Sequence, residues 1–239
     1  MNNPFDFFDK ILCVNLADRT DRWEECLPEF DKVGIRNKVE KFEAYRYENK
    51  STHFFIGRAG VTTSFKEAVR YARDEGCENV LVLEDDVSFV KDTLSVLEKS
   101  LEELKERDWD MFFLGINPEG DTPFESESDH LLRLRAGLCL HAASYNKKFF
   151  ETVLTSLPEP PQMFEWLRAL HNGTGFGAVD GWVMTSVMPN FNVYCTNPMI
   201  ATQRPSWSSI DNKMVEFGED LLERFSIKEK ELRNERIQD

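Results

Sequence analysis

Val80-Leu81-Val82-Leu83-Glu84-Asp85-Asp86-Val87 sets four apolar residues directly against three carboxylates. An unbroken apolar run of this length fits a strand buried on both faces, as in the middle of an α/β sheet. Such sheets bind ligands in the crevice beyond the carboxyl ends of their strands, so Glu84, Asp85 and Asp86 stand where a ligand would sit. Adjacent carboxylates repel one another, and solvent or a cation has to offset the cost. Hard oxygen ligands suit Mg2+ or Mn2+, which take one or two carboxylates together with substrate phosphates. The same three residues also suit a solvated turn or a helix N-terminus, so the rest of the chain has to decide.

The chain has 239 residues, 41% hydrophobic and 12% aromatic, enough for one large α/β domain. No apolar run approaches the roughly 20 residues that span a bilayer. Met1 to Lys10 lacks a basic start and a long apolar stretch, so no signal peptide and a cytoplasmic location are expected. Cys13, Cys26, Cys77, Cys139 and Cys195 are scattered and odd in number, as in a reducing compartment. His53, His130, His141 and His171 show no metal-ligand spacing. Twenty-nine basic against 43 acidic residues give a net charge of -14, which argues against nucleic-acid binding but leaves room for a phosphate ligand beside a local cation.

Ile11 to Leu16 reads as a first buried strand. It leads into Arg19 and Arg22, where guanidinium suits a phosphate or simply pairs with Asp18 and Asp21. Thr20 or Asp21 caps the next helix, whose apolar stripe is Trp23, Leu27, Phe30 and Val33, with a kink or late start at Pro28. Gly34 stops it. A second strand covers Val39 to Ala44 and a loop follows from Tyr45 to His53. Ser64-Phe65-Lys66-Glu67 has the form of a capping box and opens a helix to about Asp74. Asp92 to about Arg107 is helical, with Leu94, Leu97, Leu101 and Leu104 on one face.

Met111 to Leu114 is a short strand, and Asn117 to Asp129 a loop. Strands are expected over Leu131–Ala136 and Leu138–Ala143, the latter holding His141 as a satisfied core group. Asn146 caps a further helix, and Met163 to Leu170 forms a short one before the loop Gly173 to Gly177. Asp180 is either a helix N-cap or an acid projecting into a cleft. Phe191 to Cys195 is a last strand, Thr202 to Ile210 has the composition of a lid or sugar platform, and Glu216 to Asp239 reads as a charged helix and tail.

Taken in this order, the motifs resemble glycosyltransferase family 25, which includes lipooligosaccharide and procollagen galactosyltransferases. Val14-Asn15-Leu16 with Arg19 and Arg22 is similar to the family's I-N-L-x-x-R-x-x-R opening. Gly60 and Ser64 precede Leu81 to Val87, which is similar to its L-E-D-D-V. Trp109-Asp110, His141-Ala142-Ala143-Ser144-Tyr145, Val179-Asp180, and Gln203 with Ser208-Ser209-Ile210 follow in family order. The family's S-H is Ser64-Phe65 here, and its S-D-I ending lacks the aspartate.

The resemblance implies a GT-A type α/β fold in a single domain over residues 1–239. A nucleotide-sugar half would span about 11–115 and an acceptor half about 131–211. It implies a UDP-sugar donor, a divalent metal at the acidic motif and inversion at the anomeric carbon. In that reading Glu84, Asp85 and Asp86 hold the metal. Asn15, Leu16, Arg19, Arg22, Ser64 and Asp85 line the donor site, and Asp180 is the general base. The acceptor is a glycan or protein hydroxyl, with neither nucleic-acid binding nor stable membrane insertion. Trp182, Trp207 and Tyr145 suit sugar stacking or the core equally. A receiver-like switch is a rival, but it gathers its acids at an earlier strand. A family-25-like protein that has lost catalysis and binds a nucleotide sugar or glycan is the stronger alternative.

Overall fold

The computed structural model describes residues 3–47, 53–208 and 213–215. A 3-10 turn at Pro4–Phe7 leads into β1 (Lys10–Asn15), α1 (Thr20–Lys32) and β2 (Val39–Glu43). Then come α2 (His53–Asp74), β3 (Asn79–Glu84), β4 (Val87–Phe89), α3 (Thr93–Leu104) and β5 (Met111–Phe113). The next stretch holds β6 (Asn117–Pro118), β7 (Phe124–Ser126), β8 (Leu131–Leu134), β9 (Gly137–Leu138) and β10 (Ala142–Asn146). Last are α4 (Lys147–Ser156), α5 (Met163–Thr174), α6 (Val179–Trp182) with a π-helical turn at Val183–Val187, β11 (Val193–Thr196), β12 (Ala201–Gln203), β13 (Ser206–Ser208) and β14 (Lys213–Val215).

Eight strands form the central sheet in the order β2-β1-β3-β10-β5-β11-β8-β7. β10 and β8 run against the other strands, so the sheet is largely parallel, as expected of this α/β chain. Successive side chains of a strand point to opposite faces. Leu12, Val14, Val80, Val82, Met111 and Phe113 accordingly pack with Phe65 and Val69 of α2 and Phe149 of α4 on one face. Ile11, Cys13, Leu81, Leu83, Phe112 and Leu114 pack with Phe30 of α1 and Leu97 and Leu101 of α3 on the other. This two-sided burial is why the apolar runs are continuous rather than alternating. Tyr145 and Trp182 belong to the first of these layers, 1% and 7% exposed, and not to a sugar platform.

The connections place a crevice. From β1 the chain passes outward through α1 to β2, then returns through α2 to β3 on the other side of β1. The carboxyl ends of β1 and β3 therefore flank the point where strand order reverses, the usual ligand site of an open α/β sheet.

Several elements differ from the sequence reading. The second helix begins at His53, eleven residues before Ser64. Its early part is held by tertiary packing of Ala59 against Met163 and Leu167 of α5, which local propensity does not reveal. In the first helix, Arg19 and not Thr20 or Asp21 precedes the helical residues, and its side chain makes no capping bond. The helix runs through Pro28, which is exposed, where a backbone carbonyl left without a helical donor is least costly. Leu94 is 39% exposed, because Thr93 turns inward and its hydroxyl donates to the Val90 carbonyl at 2.8 Å. The strand expected over 138–143 starts only at Ala142, after Cys139 with φ 71. Asn146 does cap α4, accepting from the Lys148 N–H at 3.2 Å. Residues 209–212 and 216–239, including Ile210 and the expected C-terminal helix, lie outside the described residues, as do the side chains of 206–208.

Candidate active site

The acidic turn is built by its backbone. β3 stops at Glu84, and Val87 begins β4, which pairs with β12 so that Gln203 faces Val87. The Arg204 guanidinium donates to the carbonyls of Asp85 at 2.8 Å and Val87 at 2.6 Å, while its own N–H reaches the Asp86 carbonyl at 2.7 Å. The Cys26 thiol adds a bond to the Asp85 carbonyl at 3.0 Å. With its carbonyls held in this way, the turn is free to present its three carboxylates to the crevice.

Those carboxylates have named partners. Arg22 Nη2 sits 2.7 Å from Asp85 and 2.7 Å from Asp86. Asn15 Nδ2 donates to Asp85 at 2.7 Å. Gln203 Nε2 donates to Glu84 at 3.2 Å and Asp86 at 3.3 Å. Three buried polar atoms around the turn, Asn15 Oδ1, Arg22 Nε and Gln203 Oε1, have no hydrogen-bond partner among the described residues.

Burial and the charges of Asp86, Asp85 and Asp180 hold the Glu84 carboxyl well above its usual range. Burial raises Asp85 too, opposed by Arg22 and the Asn15 amide. For Arg22, burial works to lower the pKa, but Asp86 and Asp85 outweigh it and keep the guanidinium charged. Asp180 is raised by burial, against the N–H groups of Gly181 (2.8 Å) and Cys139. His141 is fully buried 3.2 Å from the Ala201 carbonyl, and burial lowers its pKa. It is a core histidine, as the sequence suggests, but not a satisfied one: Nδ1 has no hydrogen-bond partner among the described residues, and the residue stands just before β10 instead of within a strand.

A cavity of about 720 Å³ opens over the turn. Leu16, Arg19, Arg22, Ser64, Glu84, Asp85, Asp86 and Asp180 all line it. Asn15 does not; 1% exposed, it stands behind Asp85 and orients it. Arg19 pairs with Asp21 at 2.9 Å, the alternative its position left open. Arg22 pairs with the acidic turn instead of Asp18 or Asp21, and Asp18 is taken by Arg46 at 2.7 Å. Ser64 is mid-helix, not a cap. Its hydroxyl donates to the Gly60 carbonyl at 2.7 Å and accepts from the Tyr45 N–H at 2.8 Å. Asp180 is the second residue of α6, with Ala178 before the helix, so it is a cavity acid and not an N-cap.

Tyr45, Arg58, Cys139 and Phe176 also line the cavity and escaped the sequence reading. Tyr45 follows the carboxyl end of β2, so the crevice rule itself could have found it. Arg58 was hidden by the late helix start, and no local signal marks Cys139 or the Arg204 clamp. The described residues contain no ready-made cluster of three or more metal-ligating side chains, and Arg22 and Gln203 bind the carboxylates of the turn.

No family model and no curated protein matches the chain. Solved structures do. The chain is similar to a glycosyltransferase involved in the glycosylation of the major capsid of PBCV-1, 14% identical over 92% of this chain and 98% of that one, TM-score 0.48. It is also similar to apo UDP-glucose pyrophosphorylase, 10% identical over 93% and 82% of the two chains, TM-score 0.41. A third is mannose-1-phosphate geranyltransferase from Thermus thermophilus, 12% identical over 78% and 72%, TM-score 0.41. Likeness at this level leaves the chemistry to the site, and the family-25 resemblance rests on the motifs alone.

Proposed function

We propose that this chain is a single-domain, inverting glycosyltransferase of the family-25 type. It moves a hexose, galactose or glucose, from a UDP-sugar to a hydroxyl of a glycan or protein. The observation that carries this reading is the meeting, in one cavity, of a backbone-clamped acidic turn, two guanidinium groups and a buried carboxylate from the far half of the chain. Arg19 and Arg22 provide donors for the diphosphate. Asp180 takes the proton of the acceptor hydroxyl as it attacks the anomeric carbon. A carboxylate with a raised pKa is the stronger base, and its backbone N–H partners fix its direction.

The site fits a divalent cation by its chemistry. Glu84, Asp85 and Asp86 outnumber the one guanidinium paired with them, and the orphaned Oε1 of Gln203, which also lines the cavity, is a hard acceptor. Asp86, with Glu84 or Asp85, would hold Mn2+ or Mg2+. A bound cation supplies positive charge to the departing diphosphate.

Calorimetric titration of UDP, with and without Mn2+, on wild type and Asp86→Ala tests the donor site. Metal-dependent binding lost in the variant supports the reading, and absence of binding to the wild type overturns it. Metal-dependent hydrolysis of UDP-glucose or UDP-galactose in solution separates an active transferase from a chain that only binds the nucleotide sugar.

A further inference from the structure

We infer that Tyr45 is the platform on which the nucleobase of the donor stacks. This deepens the donor-site reading above and rests on it. Tyr45 is 43% exposed and lines the cavity. Its backbone is anchored from three sides. Ala44 N–H donates to the Asn15 carbonyl at 2.9 Å, Tyr45 N–H donates to Ser64 Oγ at 2.8 Å, and the Tyr45 carbonyl lies so near Gly60 that a Cβ there would stand 2.7 Å from it. Behind it, Tyr47 packs at 4.7 Å between ring centroids. Tyr47 is itself fixed by its hydroxyl to Thr63 at 3.0 Å and by an edge contact with Phe164 at 5.0 Å. An aromatic face is thus held in place and left uncovered, the arrangement that binds a π-system at low entropic cost.

Position selects the base over a sugar. The sheet order β2-β1-β3 sets Tyr45, just past the end of β2, two strand spacings or about 10 Å from the acidic turn at the end of β3. Asp180, from the other half of the chain, lines the same cavity as Glu84 and adds to the charge around it. With the diphosphate at Arg19 and Arg22, the sugar and acceptor lie toward Asp180, and the base lies toward β2. Arg46, the charged neighbour of Tyr45, is neutralised by Asp18. That pairing leaves no unmatched charge on the two residues that flank Tyr45 in the chain, which suits an uncharged heterocycle. Gly60 and Ser64 acquire a role in the same step: they hold the Tyr45 segment close against α2.

The test is calorimetry in the presence of Mn2+ with UDP and with inorganic pyrophosphate, which lacks a base, on wild type, Tyr45→Phe and Tyr45→Ala. Tyr45→Ala is expected to weaken UDP binding roughly 5- to 150-fold, Tyr45→Phe to preserve it, and pyrophosphate to bind all three alike. Equal UDP affinity in wild type and Tyr45→Ala overturns the platform and leaves the donor site standing. Parallel loss of UDP and pyrophosphate in Tyr45→Ala also overturns it, because the ring would then support the diphosphate end. Failure of the wild type to bind UDP removes the donor-site reading and the platform with it.

Discussion

Replacing Arg22 by Met should unbalance the acidic turn in a way that a divalent cation repairs. The Arg22, Asp85 and Asp86 side chains are 11%, 14% and 12% exposed. Breaking a buried ion pair by removing one partner costs about 3–5 kcal/mol. The cavity admits solvent to these carboxylates, so about 2–4 kcal/mol is the expected loss. For a chain of this length each kcal/mol moves Tm by about 2–4 °C, so a fall of roughly 5–15 °C should appear in a thermal melt.

The loss should grow with pH. Without the guanidinium, the Asp85 carboxyl rises further than burial already takes it. The native state then holds protons that the unfolded chain releases, so stability falls as pH climbs from about 4 through the raised pKa. Mn2+ should recover more Tm in Arg22→Met than in the wild type, because it replaces the missing charge and meets no competing guanidinium. An unchanged Tm, or an equal response of both proteins to Mn2+, would refute the assignment of Arg22 as resident counter-ion of the turn.

Asp180→Asn should lower transfer by about 10²- to 10⁴-fold while UDP affinity stays within about twofold, read by steady-state kinetics beside calorimetry; undiminished kcat would remove Asp180 as the base. Lys66 is buried, with Nζ 2.6 Å from the Leu157 carbonyl and 2.7 Å from Glu159. Lys66→Met should cost about 1–3 kcal/mol in urea unfolding, since it orphans that carbonyl, and no measurable loss would mean water serves it as well. Burial lowers the His141 pKa below its ordinary 6.5. The unfolded chain then binds the proton more readily, so stability should decline as pH falls through about 6.5, and His141→Gln should flatten that limb of the pH–stability curve.

Much of the frame was legible in one dimension. β1 and β3 announce themselves because a strand covered on both faces needs apolar residues at consecutive positions, as in Leu81 to Leu83. Gly34 marks a helix end with φ of 69, a backbone state other residues disfavour. The acidic turn was found because the end of a central strand is a place defined by local pattern. Elements held by distant contacts were not legible. The first eleven residues of α2 look like a loop until Ala59 meets Met163 and Leu167, more than a hundred residues away. Leu94 belongs to the apolar stripe by spacing, yet the inward turn of Thr93 leaves it in water.

The site divides along the same line. Sequence alone determined which groups carry charge near the carboxyl ends of the first strands: Arg19, Arg22, Glu84, Asp85 and Asp86. Tertiary structure decided their partners. It set Arg22 on the turn, tied Arg19 to Asp21, moved Asn15 behind Asp85, spent the Ser64 hydroxyl on Gly60 and Tyr45, and brought Gln203, Arg204 and Asp180 from the far end of the chain. The physical reason is range. Strand and helix patterns arise between residues a few positions apart, which the sequence displays side by side. A hydrogen bond or ion pair acts over about 3 Å in space, between residues that only the folded sheet makes neighbours.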